Sequence, residues 1–240
     1  MRIEKETISM DQGQQISYGK NVTTGLHVVI EPDVTIGDDV TIGNHVVIKS
    51  GTQIGSGVQI GDLSVLGKGP ASNKKMALKP AADLPPLLIG DDVKIGCGVV
   101  IYAGVALEND VLVGDMASIR ERVTVGESSI IGRNVIVEPK TTIGKRVTVQ
   151  TSSYITSDMI IEDDVFIGPC CSTANDKYMG RGNYHHQGPI IKQRARIGNN
   201  ATLLPGITIG EEAIVGAGAV ITKDVPSGQT YVGNPGRPIK

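Results

Sequence analysis

The sequence predicts an all-β fold, a parallel β-helix of stacked three-sided coils, and three observations predict it. Aliphatic residues recur every six positions, from Ile30 to Leu66, from Ile89 without a miss to Ile167, and from Ile191 to Ile221. A second beat lies two residues earlier, at Val28, Val34, Val40 and Val46 and again at Val93, Val99, Val105 and Val111. Glycine supplies 31 of 240 residues, aromatics only 3%, and tryptophan is absent, as suits a narrow core layered with Val and Ile.

A helix would need spacings of three and four, and a hairpin strand would need plain alternation, so neither accounts for a period of six. One short strand plus a turn does. Each hexad forms one flat face, with an inward aliphatic at its centre, a smaller inward residue near its corner, and Gly, Asn or Asp where the corner demands positive φ. Three hexads close a triangle, so the in-phase residues make about nine turns, and at roughly 4.8 Å per stacked strand the prism is on the order of 40 Å tall. Stacking buries a continuous core despite the small cross-section.

The elements follow in order as one domain over residues 1–240. Coils are expected at about 16–67, 89–173 and 190–222, with a C-terminal tail at 223–240. Two segments break the beat, and breaks in a solenoid are where function protrudes. The first, 68–88, carries Lys68, Lys74, Lys75 and Lys79 together with Pro70, Pro80, Pro85 and Pro86, which forbid regular pairing. It reads either as a surface loop or trimer clasp, or as a basic flap that meets nucleotide phosphates. The second, the extruded loop 174–189, concentrates the reactive vocabulary: Asn175, Asp176, Lys177, Tyr178, Arg181, Tyr184, His185 and His186.

A net charge of −2 gives no global reason to expect nucleic acid or a membrane surface as partner. No apolar run approaches a spanning helix, and residues 1–10 lack the layout of a signal peptide, so a cytoplasmic protein is expected. Cys97, Cys170 and Cys171 read as small fillers, the last two being adjacent and so pointing to opposite faces. His27 and His45 read as surface residues. With only four His, split between distant parts of the chain, a three-His zinc site is not expected, and no metal is assigned.

The C-terminal third carries a resemblance. Phe166-Ile-Gly-Pro, Thr173-Ala-Asn-Asp, Ile197-Gly-Asn-Asn-Ala-Thr-Leu-Leu-Pro-Gly-Ile-Thr-Ile-Gly, Val215-Gly-Ala-Gly-Ala-Val-Ile-Thr-Lys-Asp-Val-Pro and Val232-Gly-Asn-Pro-Gly-Arg together resemble the hexapeptide-repeat acyltransferases, in particular those that N-acetylate 3-amino sugars on nucleotides for polysaccharide biosynthesis. The likeness is close over about 162–240 and is the generic hexad before that; residues 1 to about 90 exceed the usual length of such enzymes. It implies a left-handed coil, against the usual crossover hand, a homotrimer, acetyl-CoA as co-substrate lying between neighbouring prisms, and a nucleotide-linked amino sugar as acceptor.

The resemblance also distributes roles. Ala201, Gly216 and Ala217, with Ala213 and Gly218, fall where small residues let the pantetheine arm approach the late coils. Lys223 matches the position near the CoA phosphates, and Arg237 matches the terminal Arg of Gly-Asn-Pro-Ala-Arg, with Gly236 in place of that Ala. Glu138 falls where the sugar N-acetyltransferases carry a Glu, although Pro139 departs from their pattern. Gln150 and Tyr154 lie outward on the next coils, and Lys177 and Tyr178 are further acceptor-binding candidates.

Related O-acetyltransferases place a His in the stretch that here reads Thr173 to Asp176. A hydroxyl needs a strong base, whereas a neutral amine is already nucleophilic, so Asn175 and Asp176 at this point favour N-acylation, with Asn175 orienting the acceptor. His185 or His186 could instead be a general base, which keeps a sugar O-acetyltransferase open. A tetrahydrodipicolinate-type N-acyltransferase is a third reading with the same co-substrate. A structural or ice-binding solenoid is the non-enzyme alternative, but the outward positions mix Asp, Glu, Lys and Asn where ice binding wants ranks of Thr. A sugar nucleotidyltransferase would need a Gly-rich nucleotide loop, which the sequence does not offer.

Overall fold

A computed structural model describes residues 16–76, 79–81, 83–181 and 185–239. The described strands form three parallel sheets that the chain visits in rotation. The first has ten strands, from Ser17–Tyr18 to Thr208–Ile209; the second has twelve, from Thr23–Thr24 to Arg237–Pro238; the third has ten, from Val29–Ile30 to Val220–Ile221. The expected all-β coil is therefore present. It has ten full turns where the aliphatic count gave nine, because Tyr18, Thr24 and Thr173 occupy beat positions without being aliphatic.

Within a turn, residue i sits beneath residue i+18, as in Thr124 on Thr142 and Ile136 on Tyr154. Both beats point inward. The Ile and Val ladders from Val34 to Val225 form one continuous core, with Ile48, Ile101, Ile119 and Ile155 completely buried.

Positive φ at the corners falls on Gly, Asn and Asp as expected, for example at Gly51, Gly57, Asn134 and Asp39, and a second glycine position lies just after the beat residue. Gly37 follows its beat residue because a Cβ there would lie 2.6 Å from the carbonyl carbon of Gly55 one coil away. Positive φ falls two residues later, at Asp39 (58°), and that position is filled elsewhere by Met116, Arg122, Lys140 and Arg146 as readily as by Asn or Asp. The corner overrides the cost of the left-handed region because its amide is held by the adjacent coil: Asp39 N donates to Lys20 O at 2.8 Å and Lys140 N to Glu121 O at 3.2 Å.

The first interruption is narrower than the sequence suggested, whereas the second falls between Ser172–Thr173 and Ile190–Ile191 as expected. Lys68 still belongs to the strand Val65–Lys68, and Leu88–Ile89 is already paired with Gln53–Ile54, so the first break lies between them. Of that segment residues 77, 78 and 82, and of the loop 174–189 residues 182–184 with Tyr184, lie outside the described residues, as do residues 1–10. The expected tail also keeps coiling. Val225 bridges Ile209, Thr230–Val232 joins the second sheet beside Ile214–Val215, and Arg237–Pro238 adds to it antiparallel. No helix among the described residues is long and apolar enough to cross a membrane.

Candidate active site

Both breaks leave the coil after a strand of the third sheet and return to a strand of the first, so both emerge at one corner, five coils apart. Side chains gather between them. Lys68 Nζ lies 4.6 Å from the ring centre of Tyr102 and donates to its hydroxyl at 3.3 Å, while the Arg120 guanidinium lies 4.8 Å from the same ring. Arg120 grips Glu121 with two bonds, Nε to Oε2 at 2.9 Å and Nη2 to Oε1 at 3.2 Å, and its Nη1 is 3.7 Å from Glu138 Oε2. Tyr154, on the next coil, lies near enough for the Glu138 carboxylate to act on its phenol.

Burial gives this ladder its electrostatics. The Glu121 side chain is only 6% exposed, a setting in which a carboxylate is kept by a paired cation. Burial works against the Arg120 charge, yet the hydrogen bond and charge of Glu121, aided by Glu138, outweigh it and raise the Arg120 pKa. Burial first, and then the Glu138 charge, pushes the Tyr154 phenol up. The first break roofs this corner: Met76, Lys79, Pro80 and Ala81 face Arg120, Arg122, Glu138 and Lys140 across a cavity of about 320 Å³.

The second break is ordered around a carboxylate. Asp176 Oδ1 accepts the amides of Tyr178 and Met179, both at 2.7 Å, and Oδ2 accepts that of Gly180 at 2.6 Å. His186 Nε2 lies 3.9 Å from Asp176 Oδ2. The neck closes where Gln187 N donates to Asn175 O at 3.1 Å. The returning limb then crosses the cavity's rim: a Cβ on Gly188 would lie 2.6 Å from Ser157 O and 3.1 Å from the carbonyl carbon of Asp158, and both those residues line the cavity. Loop and cavity are contiguous.

The sequence-predicted residues thus fall into groups. Asp176 and His186 meet, with Asn175 at the neck; His185, Lys177 and Tyr178 are exposed on the same loop. Glu138 and Tyr154 meet in the ladder. Gln150 does not join them, since it closes a strand of the second sheet, its amide donating to Ile167 O. Toward the C-terminus, Ala201 and Ala213 turn their methyls into the core, so their small size serves packing, and only their main chain could meet a ligand. A Cβ on Gly216 would lie 2.7 Å from Val232 Cγ1, a packing reason for that glycine. Ala217, Lys223 and Arg237 are exposed, with Arg237 Nη1 on Gly236 O at 2.9 Å.

Sequence reasoning missed Tyr102, Arg120, Glu121, Arg122 and Lys140. The 18-residue stack could have placed 102, 120 and 138 in one column; no periodic signal could place Lys79 above them. His27 and His45 are stacked on each other at 5.0 Å between ring centres. Cys97 and Cys170 are exposed, Cys171 is buried, and burial raises its thiol pKa. A larger groove of about 660 Å³ on the first sheet holds none of the predicted residues, and its Lys145 is already bonded to Glu127 at 3.2 Å. Among the described residues no three His, Cys, Asp or Glu side chains group to hold a metal.

With this geometry in place, the class of protein is visible in its repeats. A family described as bacterial transferase hexapeptide (six repeats) matches residues 19–50 and 188–223, and the hexapeptide repeat of succinyl-transferase matches 86–114. The chain carries the repeats of hexapeptide transferases and resembles hexapeptide-repeat acyltransferases.

Among particular proteins, it is 48% identical over 50 residues to a protein of Schizosaccharomyces pombe named as an acetyltransferase, covering 21% of this chain and 24% of the relative. It is 47% identical over 51 residues to a 2,3,4,5-tetrahydropyridine-2,6-dicarboxylate N-acetyltransferase of Staphylococcus aureus, covering 21% of each. The chain therefore matches about a quarter or less of the length of these relatives. A solved structure of a mutant GDP-perosamine N-acetyltransferase from Caulobacter crescentus, in complex with CoA and GDP-perosamine, aligns with 22% identity over 59% of this chain and 56% of that one, at a TM-score of 0.41.

Proposed function

We propose that the protein is an acetyl-CoA-dependent N-acetyltransferase acting on the amino group of a nucleotide-linked sugar. The observation that carries this is the Asp176–His186 pair at the neck of the loop, beside a cavity lined by Glu138 and Arg120. The acceptor amine attacks the thioester carbonyl, an N–C bond forms and the C–S bond breaks. The proton shed by the nitrogen passes to His186, and the departing thiolate of CoA is protonated in turn. Asp176, fixed by three amides, holds its carboxylate 3.9 Å from His186 Nε2, where it would stabilise an imidazolium formed in the reaction. Asn175 orients the acceptor, and His185, Lys177 and Tyr178 stand at the loop surface.

Ala217, Gly216 and the main chain of Ala201 are assigned to the pantetheine arm, and Lys223 and Arg237, both exposed cations, to the CoA phosphates. Exposed Leu112, Ile130, Phe166 and Ile214 lie along the second sheet, which supports a homotrimer of prisms with acetyl-CoA between neighbours. Both substrates are cytoplasmic metabolites, and we place the protein there.

The same Asp–His pair is what a hydroxyl acceptor would require, so sugar O-acetylation is the second reading. Release of CoA thiol from acetyl-CoA, measured with amino-sugar nucleotides, hydroxy-sugar nucleotides and tetrahydrodipicolinate, separates these. Turnover with amino-sugar nucleotides alone is expected; turnover confined to hydroxyl acceptors or to tetrahydrodipicolinate replaces the proposal.

A further inference from the structure

Corner cations in this fold stack on acids. Arg146 Nε meets Asp164 Oδ1 at 2.7 Å one coil away, and Arg194 Nε meets Glu212 Oε1 at 2.8 Å, all four residues being positive-φ corner positions. Arg122 and Lys140 break the pattern. They occupy equivalent corners, both with φ of 60°, and stack cation on cation about one coil, roughly 4.8 Å, apart. Among the described residues neither forms an ion pair, because Glu121 and Glu138 are turned to Arg120. Both line the 320 Å³ cavity, where Lys79 approaches from the roof and Asp158, the next corner below, brings the one acid not engaged with Arg120.

We propose that Arg122, Lys140 and Lys79 form an anion subsite for a diphosphate. Two neighbouring like charges are unfavourable in the empty protein and become favourable when a multivalent anion lies between them, and guanidinium and ammonium groups around a walled cavity are what a diphosphate recognises. Positions 122, 140 and 158 are successive members of one stack, which the returning limb of the loop continues at Gly188 against Ser157 and Asp158, so the loop neck lies two to three coils, about 10 to 14 Å, from the two cations. That span leaves room for a hexose between a diphosphate at the corner and an amine beside His186. Naming the anion as the acceptor's diphosphate rests on the acyltransferase reading; the anion subsite itself does not.

The test is titration of the full chain with inorganic pyrophosphate and with UDP, by calorimetry and by thermal shift, in the natural protein and in Arg122→Ala/Lys140→Ala. The natural protein is expected to bind both, more weakly as salt is raised. The double variant should lose affinity on the order of tenfold or more while keeping its affinity for acetyl-CoA, and its unliganded Tm should not fall, since a repulsion has been removed. Lys79→Ala, on the irregular segment, should lose part of the affinity without touching the coil, and Arg122→Lys/Lys140→Arg should retain it. Wild-type affinity in the double variant, or no binding by the natural protein, overturns the subsite whatever the acetyl transfer assay gives. Pyrophosphate binding that is intact while no amino-sugar nucleotide is acetylated supports the anion site and overturns its assignment to an acceptor.

Discussion

The chain leaves its coil twice at the same corner, and the two departures are held by different forces. The first, between Lys68 and Leu88, is pinned by packing and by prolines: Leu84 and Pro85 lie over Gly104, where a Cβ would meet them at 3.5 and 3.6 Å, and Pro70, Pro80 and Pro86 limit its conformations. The second, between Thr173 and Ile190, is pinned by hydrogen bonds that converge on one carboxylate, Asp176, and by the Gln187–Asn175 neck. A roof held by packing can be removed without unmaking what lies beneath it. A loop whose described turn converges on one carboxylate depends heavily on that residue, and under the proposed function that carboxylate is the one beside His186.

Four outcomes would break or sharpen that contrast. The largest effect is expected at the loop: His186→Gln should lower kcat for acetyl transfer by roughly 10²- to 10⁴-fold with little change in KM for acetyl-CoA. Asp176→Ala should do likewise and also speed hydrogen exchange at Tyr178, Met179 and Gly180, whose amides it holds. An unchanged kcat in His186→Gln removes the imidazole from the chemistry.

Next comes the roof. Replacing the segment between Lys68 and Leu87 with a short Gly-Asp linker should leave the coil folded and KM for acetyl-CoA unaltered, while raising KM for the sugar nucleotide by about tenfold or more, because uniform binding is lost. Collapse of the fold would show that the segment is structural.

Under that roof, Glu121→Gln leaves Arg120 partly buried and short of its bidentate partner. A loss of about 1–3 kcal/mol in chemical denaturation is expected, below the full cost for a buried pair because Arg120 keeps Glu138 and some solvent.

The smallest effect belongs to the open part of the same column. Glu31 and Lys49, paired at 2.5 Å, lie beyond the roof and remain solvated. The Lys49 bond holds the Glu31 carboxyl below the ordinary carboxylate range. A depressed carboxylate stabilises above its unfolded pKa and ceases to do so as pH falls through its folded one, so Glu31→Gln should slightly flatten the acid side of a stability–pH profile. At neutral pH the change should stay within about 1 kcal/mol, given the exposure of the pair.

The coil was readable because its period is local: Ile36, Ile42 and Ile48 announce three faces within one turn. Thr173 was not, since a buried Thr donating to Tyr154 O looks polar in sequence yet fills an aliphatic place. At the site, Asp176 and His186 could be singled out by residue type, but their pairing depends on a loop path that no repeat encodes. Arg120 over Glu138 follows from 18-residue stacking alone. Lys68 over Tyr102 does not, because the first break shifts that register to 34 residues. The smallness of Gly216 and Ala201 has a packing reason in Val232 and the core, so residue size by itself does not mark a ligand contact there.

Away from the two breaks, the stacking of each residue on its neighbour eighteen positions along has a further consequence for how such a chain can change. A substitution at a corner is felt one storey up and one storey down before it is felt by its own sequence neighbours, as Gly37 against Gly55 and Arg146 against Asp164 illustrate. Viable variation should therefore travel in vertical files, with compensating pairs eighteen apart, and extra length should enter only where a file can be interrupted without crushing the storey above.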